Sequence, residues 1–328
     1  MSKLVWSLWL ICVCATDTAF ANSSQIRIDG SSTVYPITEI AIREFKATNQ
    51  SVKMIHGISG TGGGFKKFCR RDIDMVNASR PISSNEIKIC NDNGVEFIEL
   101  FVAYDALTIA INPKNTWAST LSTKELKAMW EPAAQGKIKS WQQVNPRFPD
   151  MPLKLYGSNS DSGTFEYFTA SIIGKVGSSR GDYSPADEAE ETVSGVASSI
   201  NAIGYLGLAH FEENKQRLKS VSIVWNNKDP AYPSAKSVLD GSYQPLSRPL
   251  FIYVNAMALN RPTVKEFILY YMNHGAKLVK SAKYVELPAG AYQIGLDRIN
   301  KRITGSAFAG QNPVGFTYQS VLSKQPKP

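Results

Sequence analysis

The chain has 328 residues, with 36 Lys and Arg against 28 Asp and Glu, a formal net charge of +8 and 43% hydrophobic residues. This composition is that of a globular protein, and it excludes a disordered chain, a collagen and a disulfide-dense miniprotein. The length favours two lobes of ordinary domain size. The positive charge favours an anionic partner but does not distinguish nucleic acid, a membrane surface and small anions.

Residues 1–21 predict export. A single lysine precedes an apolar run, and the segment closes on Ala-Phe-Ala, which is a small-x-small cleavage signal. A membrane anchor needs about 20 apolar residues, and this run is shorter. A lipoprotein signal would need a small residue before the modified cysteine, whereas Cys12 and Cys14 follow Ile and Val. We therefore predict a signal peptide that is cleaved after about Ala21, and a periplasmic protein.

Two cysteines, Cys69 and Cys90, remain after this cleavage. An even pair in an exported protein predicts a disulfide, whose constraint on the unfolded chain is worth about 3 kcal/mol. A zinc site would need four ligands, and none of His56, His210 and His274 is spaced from the cysteines as such a site requires. The sequence therefore predicts no metal and no cofactor.

The sequence passes three times from a strand through a polar, glycine-rich turn into a helix. In the first case, Ile26 and Ile28 alternate with polar residues, which predicts a strand. Apolar residues at helical spacing follow, with Pro36 where a first helical turn tolerates proline. The three turns are residues 30–33, 57–65 and 157–164. Strands that alternate with helices in this way predict an α/β protein.

Two longer hydrophobic runs, residues 101–111 and 249–258, are long enough to cross between lobes as paired hinge strands. They predict a discontinuous first lobe. The predicted units are residues 22–104 plus 253–320 for lobe 1, residues 105–252 for lobe 2, and residues 321–328 for a flexible tail.

Two capping-box patterns predict helix starts. Ser122 is followed three residues later by Glu125, and Thr263 is followed by Glu266. In such a box, each side chain satisfies a backbone N–H of the other residue. We therefore expect helices to begin at both places.

The glycine-rich turns suit a small oxyanion. Backbone N–H groups at a helix start have no partner within the helix and carry the positive end of its dipole, and Ser and Thr hydroxyls add donors there. One such turn is commonly just a helix cap, but three turns on two lobes can converge on one ligand in the cleft between them. Arg80 is a candidate to complete the site, and Arg180 is a second one. The alternative for either arginine is an ion pair at the surface.

Catalytic patterns are absent from these turns. A P-loop needs Lys and then Ser or Thr after its last glycine, whereas Phe65 follows Gly64. Ser162 lacks the Gly-x-Ser-x-Gly elbow of a hydrolase nucleophile, and the three histidines offer no convincing base. We therefore predict a protein that is not an enzyme.

Five segments together resemble the phosphate-binding protein (PstS) family of phosphate ABC transporters. They are Asp29-Gly-Ser-Ser-Thr-Val-Tyr-Pro36, Gly57-Ile-Ser-Gly-Thr-Gly-Gly-Gly-Phe65, Asn77-Ala-Ser-Arg-Pro-Ile82, Asp161-Ser-Gly-Thr-Phe165 and Asn201-Ala-Ile-Gly-Tyr-Leu-Gly207. The resemblance implies a two-lobed periplasmic binding protein fold of type II, with lobes joined by two crossover strands. It also implies a monomer that closes over one inorganic phosphate and delivers it to a membrane permease.

The resemblance carries over to particular residues. By position, it assigns the phosphate to Ser32, Thr33 and Val34 in the first turn, Thr61 in the second, and Ser162, Gly163 and Thr164 in the third. Better-known members of the family have an aspartate where this chain has Arg80, and an arginine where it has about Ser158. Arg80 therefore becomes the expected cation of the site.

Without that aspartate, the site needs another carboxylate to accept the proton of HPO₄²⁻. Such a carboxylate repels fully ionised sulfate and so discriminates against it. Our hypothesis is that Asp161, inside the third turn, has this role.

Three other functions compete with phosphate capture. The protein could bind another tetrahedral oxyanion, namely sulfate, molybdate or arsenate. It could be an exported phosphate-ester hydrolase, although no nucleophile or metal cluster supports that. Nucleic-acid binding would need a basic cluster with interleaved aromatic residues, which the sequence lacks, so we predict no nucleic-acid partner.

Overall fold

The computed structural model describes residues 25–311 and residue 326. The strands are β1 (Gln25–Gly30), β2 (Lys53–His56), β3 (Met75–Ala78), β4 (Phe97–Ile111), β5 (Thr120–Ser122), β6 (Lys154–Ser158), β7 (Ser184–Ala186), β8 (Ala202–Gly207), β9 (Lys219–Ser220), β10 (Ser222–Val224), β11 (Ser247–Asn255) and β12 (Val285–Glu286). The helices are α1 (Tyr35–Thr48), α2 (Gly60–Cys69), α3 (Ser84–Asp92), α4 (Thr123–Trp130), α5 (Trp141–Val144), α6 (Gly163–Phe168), α7 (Ala189–Ala197), α8 (Leu208–Glu213), α9 (Ala235–Leu239), α10 (Pro262–Asn273), α11 (Gly275–Ser281) and α12 (Ala289–Lys301). A π-helical turn, Thr169–Ile173, continues α6, and a 3₁₀ turn, Ala256–Asn260, follows β11.

The main sheet has the strand order β2-β1-β3-β11-β4-β8-β6-β7, and β9 and β12 also pair with β4. Strands β1, β2 and β3 run parallel at one end of the sheet, and β6, β7 and β8 run parallel at the other. Parallel strands need crossover connections, which helices supply here. This confirms the α/β class.

Two long strands, β4 and β11, join the two halves of the sheet. They pair antiparallel from Ser247 opposite Ala106 to Asn255 opposite Phe97, with a register shift at Leu250. Beyond this pairing, β4 continues alongside β8. The expected pairing of two hinge strands is confirmed, although β4 begins earlier than the apolar run suggested, and the expected strand over residues 249–258 ends at Asn255.

One of the two predicted capping boxes is present. Ser122 Oγ accepts from the Glu125 amide at 3.2 Å, and Glu125 Oε2 accepts from the Ser122 amide at 2.8 Å. The other is wrong, because α10 already begins at Pro262, one residue before Thr263, and has no side-chain cap. Proline suits the first helical position, where its missing N–H costs nothing.

The second glycine-rich turn is shorter than the sequence suggested, because α2 begins at Gly60 inside the glycine run. Glycine is a poor helix former, but close packing requires it here. A Cβ on Gly64 would lie 2.7 Å from the Cα of Gly30 on β1. The glycine run therefore lets α2 lie directly against the end of β1.

The predicted disulfide between Cys69 and Cys90 is present and ties α2 to α3. Both cysteines are buried in a cluster with Phe65 and Phe68. A larger apolar cluster extends through both halves of the sheet.

The predicted signal peptide, residues 1–21, lies outside the described residues, as does the predicted tail, residues 321–328, apart from Pro326. The lobe boundaries given above remain predictions. Over the described ranges, we find no helix with the length and apolar character needed to cross a membrane.

Candidate functional site

The first turn connects β1 to α1 and places Thr33 against Arg248 of β11. Its backbone is fixed locally, because Ser31 Oγ accepts from the Thr33 amide at 3.2 Å and the Ser31 carbonyl accepts from the Tyr35 amide at 3.1 Å. Val34 is fully buried at the start of α1. The Thr33 hydroxyl accepts a hydrogen bond from Arg248 Nη2 at 2.9 Å.

The second turn places Thr61 in the first turn of α2. Its Oγ1 accepts from the Ser79 amide at 3.1 Å and lies 3.1 Å from Ser79 Oγ. This contact holds the start of α2 against the end of β3. Thr61 therefore lies beside the segment that carries Arg80.

Asp29, at the end of β1, links the first two turns. Its carboxylate accepts from the Gly30 amide at 2.6 Å, from Ser59 Oγ at 2.7 Å and from Lys67 Nζ at 2.5 Å. Burial raises the pKa of Asp29, but the bonds from Lys67 and Ser59 outweigh it and lower the pKa below the usual value. The ionised carboxylate thus fixes the two turns relative to each other.

Arg80 follows β3 and is held by Glu86 of α3. Nη1 and Nη2 each lie 2.8 Å from a different Glu86 oxygen, a bidentate pair that sets the plane of the guanidinium. Glu86 also forms a capping box with Ser83. Burial raises the pKa of Glu86, but bonds from Arg80 and Ser83 hold it below the usual value. About a third of the Arg80 side chain remains exposed.

The third turn begins α6 and touches the first turn. Ser162 Oγ accepts from the Phe165 amide at 3.0 Å and caps the helix. A Cβ on Gly163 would lie 2.7 Å from Thr33 Oγ1 and 3.0 Å from Ser32 Oγ. A side chain at position 163 would force these hydroxyl groups to move, so the first and third turns lie directly against each other.

Two cavities are lined by residues of the second and third turns. The first, which we name the cleft cavity, has a volume of about 590 Å³ and is lined by Thr61 and Arg80. The charged side chains that line it are Arg80, Arg248 and Glu166. The second cavity, of about 860 Å³, is lined by Ser162 and Thr164. The structure therefore divides the predicted residues: Thr61 and Arg80 line the cleft cavity, and Ser162 and Thr164 line the second cavity. Thr33 and Gly163 line neither, and they lie close to each other where the first and third turns meet.

Arg180 is not part of this group. It is 4% exposed, and its guanidinium donates to Asp182 and to the carbonyl oxygens of Met129 and Ile138. It lines neither cavity. These contacts do not support the suggestion that Arg180 reaches a ligand, because its donors tie its own loop to the end of α4 and to the segment that follows it.

Asp161 also lies outside the group. It is exposed, its amide donates to Asn159 Oδ1 at 3.1 Å, and Ser160 Oγ lies 3.5 Å from its carboxylate. It lines neither cavity. This position does not support the hypothesis that Asp161 accepts a proton from a bound phosphate.

Sequence reasoning missed Arg248, which lies on β11 and lines the cleft cavity. A signal was available, because the tripeptide Ser-Arg-Pro occurs at residues 79–81 and again at 247–249. Both arginines of these tripeptides line the same cavity. Among the residues that the structure describes, no cluster of His, Cys, Asp and Glu could hold a metal ion.

Two lobes joined by paired strands, with hydroxyl and guanidinium donors near the cleft between them, define the class of two-lobed binding proteins. Known proteins that are similar to this chain belong to the same class. The model of the PBP superfamily domain matches residues 15–274. Protein SphX of Synechocystis sp. is 43% identical over 309 residues, which cover 94% of this chain and 92% of SphX.

Two further relatives carry phosphate in their names. Phosphate-binding protein PstS of Staphylococcus saprophyticus is 35% identical over 274 residues, 83% of each chain. The crystal structure of a possible phosphate binding protein from Planctomyces limnophilus is 40% identical and superposes with a TM-score of 0.79, covering 84% of this chain and 98% of its own. The chain therefore belongs to the PBP superfamily, in the family of SphX and the phosphate-binding protein PstS.

Proposed function

We propose that this protein is the substrate-binding component of a phosphate ABC transporter. It captures inorganic phosphate in the cleft between its lobes and delivers it to a membrane permease. The observation that carries this proposal is that Thr61 and Arg80 line the cleft cavity together with Arg248, which in turn donates to Thr33 of the first turn. The relatives named for phosphate binding support the choice of ligand.

The site binds through hydrogen-bond donors. Hydroxyl groups, helix-start amides and an arginine all donate to the oxygens of an anion, and each charge-assisted bond is worth about 1.5 to 3 kcal/mol. Micromolar affinity needs about 8 kcal/mol, so a handful of such bonds suffices. The proposed phosphate-binding residues are Thr61 and Arg80 of the cleft cavity, Ser32, Thr33 and Val34 of the first turn, and Ser162, Gly163 and Thr164 of the third turn. Of the third-turn residues, Ser162 and Thr164 line the second cavity.

Binding of this kind needs no nucleophile, general base or metal. We therefore propose a transport protein rather than an enzyme, acting as a monomer and without a nucleic-acid partner. Export by cleavage after about Ala21 would place it in the periplasm, where a permease can receive its ligand. Incubation with a phosphate monoester such as p-nitrophenyl phosphate should give no turnover, whereas steady release of nitrophenol would support a hydrolase.

The test of the proposal is isothermal titration of the mature chain, residues 22–328, after phosphate has been removed by unfolding and refolding. We expect saturable one-to-one binding of phosphate that a large excess of sulfate does not displace. Folded protein that binds no phosphate, or that loses it to sulfate, would contradict the proposal. Molybdate and arsenate titrations would then identify the ligand.

A further inference from the structure

Arg248 lies on β11 and contacts both the other crossover strand and the first turn. Its Nε donates to Asp105 Oδ2 at 3.1 Å, and Asp105 lies on β4. Its Nη2 donates to Thr33 Oγ1 at 2.9 Å and lies 3.5 Å from the carbonyl oxygen of Gly163. One guanidinium therefore touches both crossover strands and the two turns that meet when the lobes are closed.

An aromatic ring fixes this guanidinium from a further side. Arg248 Cζ lies 3.9 Å from the ring centroid of Tyr167, which belongs to α6 of the third turn. The Tyr167 hydroxyl donates to the Pro245 carbonyl at 2.9 Å, so the ring itself is held in place. A cation over an aromatic face is attracted most strongly when it is shielded from water, and the Arg248 side chain is only 16% exposed.

One nitrogen of this fixed guanidinium has N–H groups that are still available to a ligand. Within residues 25–311, the hydrogen bonds of Arg248 are made by Nε and Nη2, and none is made by Nη1. Arg248 also lines the cleft cavity, together with Arg80 and Thr61. An unused donor on an otherwise immobilised arginine, at the wall of the binding cavity, is an arrangement suited to an oxyanion.

We propose that Arg248 is a phosphate-binding residue, with Asp105 and Tyr167 as its positioning residues. The proposal rests on the proposed function and adds a second cation to the site. Because Arg248 touches both crossover strands and both closing turns, a phosphate bound to it favours the closed form over the open one. Arg80 and Arg248 are each positioned by a carboxylate. Arg80 then donates hydrogen bonds to the anion from lobe 1, and Arg248 donates them from the crossover strand β11.

The test compares phosphate titrations of three variants with those of the wild type. Arg248→Ala removes the guanidinium, and Arg248→Lys keeps the charge but replaces the planar fork of three nitrogens with a single ammonium, which cannot reach Asp105, Thr33 and the anion together. Arg70→Gln is the matched control, because Arg70 pairs with Asp72 at the exposed surface and its loss removes the same charge. We expect at least thirtyfold weaker phosphate binding for Arg248→Ala, about tenfold for Arg248→Lys, and a change within twofold for Arg70→Gln.

Chemical rescue separates binding from a structural role. Millimolar methylguanidinium should restore at least a tenth of the lost phosphate affinity to Arg248→Ala, and should leave Arg70→Gln unchanged. If Arg248→Ala does not fold, the phosphate affinity of folded Arg248→Lys is compared with that of the wild type instead.

The outcomes distinguish this inference from the proposed function. Wild type that binds phosphate, together with a folded Arg248 variant that binds it within threefold of wild type, would overturn the role of Arg248 alone. A weakened Arg248→Ala that methylguanidinium does not rescue would assign Arg248 to structure. Wild type that binds no phosphate would overturn the proposed function and this inference with it.

Discussion

Two arginines of this protein, Arg180 before β7 and Arg248 on the crossover strand β11, are each paired with an aspartate, and their surroundings differ. Arg180 is bonded through Nε, Nη1 and Nη2 to Asp182 and to backbone carbonyls. Arg248 is bonded to Asp105 and Thr33 through Nε and Nη2, and it lines the cleft cavity. An arginine–aspartate pair therefore has a structural role at Arg180, whereas at Arg248 the pair holds a guanidinium at the wall of a cavity.

The role of an arginine in this protein therefore depends on which of its N–H groups are already bonded and on whether it lines a cavity. Arg80 resembles Arg248 rather than Arg180, because it also lines the cleft cavity. Although Glu86 holds both terminal nitrogens of Arg80, about a third of the side chain remains exposed at the cleft. Variants of these residues should therefore affect either phosphate binding or stability, and seldom both.

The largest effect is expected for Arg80→Ala. The variant loses charge-assisted bonds to the anion and leaves the Glu86 carboxylate without its partner at the cleft. We expect a loss of about 3 kcal/mol in phosphate binding, roughly a hundredfold in Kd. Isothermal titration beside the Arg70→Gln control measures this, and normal affinity would mean that Arg80 is structural.

Arg180→Ala should lower stability and leave binding unchanged. The variant leaves the buried carbonyl group of Met129 and the half-buried one of Ile138 without their donor, while Asp182 is 37% exposed and can be rehydrated. We expect the free energy of unfolding to fall by about 2 kcal/mol. Urea denaturation without phosphate measures it, and a phosphate affinity altered more than twofold would place Arg180 at the site after all.

Gly163→Ala tests the contact between the first and third turns. Its Cβ would lie 2.7 Å from Thr33 Oγ1, so that full closure is hindered. We expect phosphate binding to weaken by about 1 kcal/mol, roughly fivefold. Gly181→Ala is the control, because its Cβ meets only Gln135 Oε1 at 3.5 Å. Equal affinities for the two variants would show that binding does not need this contact.

The smallest effect is expected for Asp161→Asn. The sequence suggested that Asp161 discriminates against sulfate, but the residue is exposed and lines neither cavity. Phosphate affinity measured with and without excess sulfate should therefore match that of the wild type. Stronger competition by sulfate in the variant would restore the proton-accepting role.

The sequence was sufficient to predict the three turns and the pair of crossover strands, because local periodicity and glycine content determine them. It did not predict that α2 starts at Gly60, since the helix depends on packing between Gly64 and Gly30 rather than on propensity. Arg248 was missed for a related reason. Its partner Asp105 is 143 residues away, so only the pairing of β4 with β11 shows that both reach the cleft.

A crystal structure of the mature protein in complex with phosphate would test the central claim most directly. The account predicts one phosphate at the cleft cavity, with its oxygens about 3 Å from Thr33, Thr61, Arg80 and Arg248. A phosphate that contacts neither arginine would contradict it.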